Sequence, residues 1–147
     1  MQCWCADILG IIFVIAILFR LMKTEYIDIP DEKWGILFIY DFDMYDENDL
    51  YAIMRSFNMS ERNVNKSLKV LSTRNSGMAV SNFDLRMSAM FIGKASSRAQ
   101  FWNSVVHETA HVASAIAEYY DEPCDGEAIA YLQGYIFQCI VEKIAAY

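Results

Sequence analysis

The sequence predicts an α+β fold, a small β-sheet packed on helices, and three observations carry that reading. Short apolar stretches rich in β-formers occur at residues 34–40 and 85–92. Elsewhere apolar residues recur at helical spacing, as at Leu50, Ile53, Met54 and Phe57. Turn and capping residues fall between these stretches rather than inside them. A chain of 147 residues is about one domain. Its only prolines are Pro30 and Pro123, and no repeat or low-complexity tract divides it.

Residues 1–21 form a hydrophobic leader set apart from the rest. Residues 8–19 (ILGIIFVIAILF) are twelve uncharged residues, where a spanning helix wants about 20. Asp7 precedes this run while Arg20 and Lys23 follow it, the reverse of a secretory signal. Two readings stand. Residues 8–19 are a membrane anchor that keeps the following domain on the cytoplasmic side by the positive-inside tendency, or translation starts at Met22. Either way a cytoplasmic domain over residues 22–147 is expected.

Within that domain, residues 34–40 (WGILFIY) read as a buried strand ended by the acidic turn Asp41-Phe42-Asp43. A helix follows on Leu50, Ile53, Met54 and Phe57. A second follows on Val64, Leu68 and Leu71, with Asn58-Met59-Ser60 supplying the turn and the N-cap region. Asn75-Ser76-Gly77 reads as a turn, and two strands are expected at residues 78–81 and 85–92. Ser97 and Gln100 have the spacing of a capping box and open a long helix. A last helix is expected over residues 124–145, with Ile129, Leu132, Ile136, Ile140 and Ile144 as its buried stripe. The expected order is strand, two helices, two strands, two helices.

Twelve Lys+Arg against 19 Asp+Glu give a net charge of −7 without a basic cluster, which argues against nucleic acid as a partner. Two of the four cysteines, Cys3 and Cys5, lie in the leader, so no disulfide framework is indicated.

The chemistry is concentrated in His107-Glu108-Thr109-Ala110-His111. Histidines at i and i+4 share one helix face, so both imidazoles can bind one zinc ion. Glu108 projects about 100° around the helix from His107, the placement of a general base that is not itself a ligand. Zinc lowers the pKa of bound water toward neutrality, and Glu108 can take the proton as that water attacks a carbonyl. A pair of histidines four apart can arise in any helix. Here they are the only two in the chain, and a glutamate on an otherwise apolar helix is costly to bury without a role. Peptide-bond hydrolysis is the expected reaction and a peptide or protein the expected substrate.

A catalytic zinc takes three protein ligands. With no third histidine, Glu127 on the last helix is the favoured candidate, ahead of Asp121, Glu122, Asp125 and Cys124 in the connecting turn. Two histidines and a carboxylate favour zinc but also accept Co, Mn or Ni. Tyr131, one turn after Glu127, is a candidate to stabilise an oxyanion or orient the ligand, against the plainer reading of a half-buried tyrosine. Gly134, on the same face, suggests a close helix contact. The competing functional class is a metal-stabilised structural or binding protein without turnover.

The stretch Gln100-Phe101-Trp102-Asn103-Ser104-Val105-Val106-His107-Glu108-Thr109-Ala110-His111, with Gly126-Glu127-Ala128-Ile129-Ala130-Tyr131-Leu132-Gln133-Gly134, resembles small gluzincin-like peptidases of bacterial phages and mobile elements. Ser81-Asn82 and Leu85-Arg86-Met87-Ser88 extend the likeness, which spans residues 35–145 and leaves out residues 1–21. The order of HExxH and a later glutamate also resembles the ImmA/IrrE metallopeptidases in architecture. The resemblance implies a zincin core with His107, His111 and Glu127 as ligands and Glu108 as base. In such a core an extended peptide can pair with the edge strand beside the active helix, and residues 85–92 are the nominated edge, against the plainer reading of an internal, fully paired strand.

Overall fold

The computed structural model describes residues 23–42 and 47–144. The leader, residues 1–21, lies outside the described residues. Among the described residues no helix is long and apolar enough to cross a membrane.

The chain is α+β, with a mixed four-stranded sheet and four helices among the described residues. Strand β1 (Lys23–Ile29) pairs antiparallel with β2 (Trp34–Tyr40) across a single 3-10 turn at Pro30–Glu32. Asp41, at φ 54°, ends β2 as the acidic turn predicts. Helices α1 (Glu47–Ser56) and α2 (Glu61–Leu71) follow, and the Ser60 hydroxyl caps α2 by accepting from Asn63 N–H at 3.3 Å. Strands β3 (Gly77–Asn82) and β4 (Met87–Ile92) form an antiparallel pair, and β4 lies parallel to β2. Helix α3 (Arg98–Tyr119) is capped by Ser97, which accepts from Gln100 N–H at 3.2 Å. Helix α4 (Gly126–Ile144) completes the chain.

Strand alternation explains the three layers. Trp34, Ile36, Phe38 and Tyr40 of β2, with Met90 and Ile92 of β4, face α3 and α4. Leu37 and Ile39, with Ala89 and Phe91, face α1 and α2. Every residue of β2 is buried, as a strand covered on both faces requires. Burying such a side chain contributes about 1.5–3 kcal/mol, so these two strands anchor both cores.

Three expectations are corrected. Residues 23–29 are a strand that the expected order, beginning at residues 34–40, leaves out. Thr24, Ile27 and Ile29 are buried between charged neighbours, a broken alternation that hid the period. Second, the strand order is β1-β2-β4-β3, so residues 85–92 do not supply the edge. Leu85 and Arg86 belong to a turn, where Asn82 Oδ1 accepts from Leu85 N–H at 3.2 Å and Arg86 adopts φ 49°. β4 is paired on both sides, and the edge beside it is β3. Third, among the described residues a Cβ on Gly134 would meet nothing within 4 Å, so this glycine marks no close contact with a described helix.

Candidate functional site

Helix α3 lies against β3, and the contacts at its two ends define how they run. The position of Cβ on Gly77 is occupied by Glu108, with Cγ and Oε1 each 2.8 Å away. At the other end the rings of Phe83 and Tyr119 meet edge to face at 5.9 Å. Helix and strand therefore run side by side in the same direction, enclosing a cleft of about 450 Å³. The cleft is lined by Gly77, Ala79 and Ser81 on one wall and His107, Glu108 and His111 on the other.

The turn before β3 is tied to the start of α3. Asn75, at φ 58°, accepts from Ser96 N–H through Oδ1 at 2.7 Å, and its own N–H donates to the Lys94 carbonyl at 3.1 Å. Gly93 N–H donates to the Ser76 carbonyl at 3.0 Å, which sets the phase of the β3–β4 ladder. With that phase, residues 78, 80 and 82 bond to β4. The N–H and C=O groups of Gly77, Ala79 and Ser81 then point to the open edge.

Glu108 is 4% exposed and accepts from the backbone N–H of Ala79. Burial pushes its carboxyl above the usual carboxylate range, while His107, His111 and the Ala79 N–H pull it partly back. A carboxylate raised in this way sits closer to the pH at which it can both accept and return a proton.

His107 and His111 are exposed to the cleft, their Nε2 atoms 3.3 Å apart. Two nitrogens each about 2.0–2.1 Å from one tetrahedral zinc ion stand about 3.3–3.4 Å apart, so the donor pair fits that ion. Neighbouring Thr109 is fully buried, and its hydroxyl donates to the Val105 carbonyl at 2.7 Å. The apolar face of the helix, with Val105, Val112 and Ile116, fixes the direction of the histidines.

The remaining nominated residues are placed differently. Among the described residues no three His, Cys, Asp or Glu side chains converge as a metal site. Glu127 is exposed on the first turn of α4. Cys124 Sγ approaches the Ser114 carbonyl at 3.7 Å, and the Gln133 amide donates to the Val106 carbonyl at 3.2 Å. These contacts set α4 antiparallel to α3 and put Glu127 near the level of His111. Tyr131 is 72% exposed and lines a separate hollow with Asp31, Glu32 and Tyr135, so the structure does not bring it to the histidine pair.

No family model, curated protein or solved structure matches this chain. The functional reading therefore stands on the residues themselves. Among these, Gly77 and the Ala79 N–H escaped the sequence reading. Gly77 looked like the close of a turn, and only the pairing of β3 reveals what its missing side chain makes room for.

Proposed function

We propose that the chain is a zinc-dependent peptidase of zincin type, related in architecture to the small gluzincin-like peptidases. The observation that carries this reading is the 3.3 Å separation of two histidine nitrogens beside a buried glutamate that faces an open strand edge. His107 and His111 are the proposed ligands, and Glu127, on the first turn of α4, is the proposed third. When bound, zinc supplies a Lewis acid that lowers the pKa of water toward neutrality and polarises a carbonyl.

The chain's own groups do the rest. An extended peptide adds to β3 through the outward backbone groups of Gly77 and Ser81. Glu108, held by the Ala79 N–H, takes the proton of the attacking water and returns it to the departing amine nitrogen. Gly77 keeps the strand close enough for that contact.

The test is hydrolysis of a denatured protein substrate by the full chain with and without added zinc. Zinc-dependent new N-termini, abolished by chelator and lowered about 10²–10⁴-fold in Glu108→Gln, are expected. Zinc bound at one per chain without cleavage of any substrate would contradict the proposal.

A further inference from the structure

Seven residues along α3 from His111, on the same face, Glu118 reaches the far end of the cleft. Seven helical residues span about 10 Å, the length of about three residues of extended peptide. Phe83 lines that end, 37% exposed, with Tyr119, 38% exposed, edge to face against it at 5.9 Å, and both rings pack edge to face on buried Trp34 at 6.1 and 5.5 Å. Trp34 is itself fixed, its indole N–H donating to the Ser88 hydroxyl at 2.9 Å. The aromatic pair is thus a held surface rather than two loose side chains. Among the described residues no Lys or Arg lines the cleft, so none on its walls neutralises Glu118.

We infer that Glu118, Phe83 and Tyr119 form a specificity subsite for a long cationic side chain, Lys or Arg, of the peptide substrate. This rests on the reading of the cleft as a peptidase site. An alkyl or guanidinium stem lies on the aromatic rings while its charge meets the carboxylate, a combination that acidic and short polar side chains cannot match. Antiparallel pairing is the more stable way to extend β3. In that orientation the N-terminal part of the peptide lies toward Phe83, which places the cationic residue two to three positions before the cleaved bond.

The test uses the full chain carrying Glu108→Gln, so that binding is read without turnover. Fluorescence anisotropy compares extended peptides that differ only in Lys, Gln or Glu at one position, with and without zinc. The Lys peptide is expected to bind about three- to fivefold more tightly than the Gln peptide, the upper range for an exposed ion pair. The difference shrinks with added salt. It disappears in a second variant with Glu118→Gln, and Glu118→Lys transfers the preference to the Glu peptide. Equal affinities, or a Lys preference that survives Glu118→Gln, overturn the subsite. Cleavage of these peptides by the native chain without charge preference overturns the subsite but leaves the peptidase reading intact. Zinc binding with neither peptide binding nor cleavage overturns both.

Discussion

The two edges of the sheet are built in opposite ways. β1 carries Lys23, Glu25 and Asp28 within seven residues, and its start is pinned by a Lys23–Asp41 ion pair at 3.0 Å. Charged residues on an edge strand are a common guard against pairing with another chain. β3, with the sequence GMAVSN, has no charge at all and leaves three residues with backbone groups facing outward. One of those groups, the Ala79 N–H, is already held by Glu108. This unguarded edge, beside the helix that carries both histidines, is where the proposed peptide would pair.

The sharpest break adds one methyl group near each edge. In Gly77→Ala the new Cβ displaces Glu108 at its Cγ and Oε1, so the proposed base loses its position. The proposed peptidase activity should fall about 10²-fold, the effect of misplacing a catalytic group by about 1 Å. Gly35→Ala on β2 meets Tyr26 of β1, whose hydroxyl would stand 2.6 Å from the new Cβ. That ring is half exposed and can swing away. Activity should stay within about twofold of the native chain, so kinetics on the pair tests whether close approach matters on one edge only. Equal losses would remove the asymmetry.

Proline substitutions sharpen the comparison along β3 itself. Val80 bonds to β4, so Val80→Pro removes a ladder hydrogen bond and should cost about 3 kcal/mol. The Ser81 N–H faces outward, and a proline there spares the ladder. Ser81→Pro should cost less in thermal or urea unfolding yet weaken peptide binding to the Glu108→Gln protein. Unchanged binding in a folded Ser81→Pro chain would argue that the peptide does not use this edge.

Much of the fold was legible in the sequence, while the identity of both sheet edges was not, and that has a physical cause. WGILFIY announced a strand buried on both faces because nothing polar interrupts it, and Ser60 and Ser97 marked their helices because a hydroxyl before a helix has few other uses. His107, Glu108 and His111 fell on one helix because their spacing is the helix period. Which strand forms the edge depends on the parallel pairing of β2 with β4 across more than 40 residues, and no local pattern encodes that choice. Tyr131 shows the limit of face arithmetic. One turn after Glu127 is not the same as facing the histidines, since the hollow it lines lies elsewhere.

The smallest expected effect concerns the protonation of Glu108. Its folded pKa is raised, chiefly by burial, so the folded state holds the proton more tightly than the unfolded chain does. That contribution is fully present below the unfolded value and is lost as pH rises through the folded one. Glu108→Gln removes the cost of the buried charge. In metal-free protein the variant should therefore melt a few degrees above the native chain at pH 8, and the gap should narrow toward pH 4. A gap that widens on acidification would mean that the ionised form is the one the fold favours.

The central claim, that the histidine pair is a metal centre, is tested most directly by metal content. Mass spectrometry of the purified full chain should find one zinc per chain, lost in His111→Ala and strongly weakened in Glu127→Ala. A folded native chain without stoichiometric metal would contradict the account.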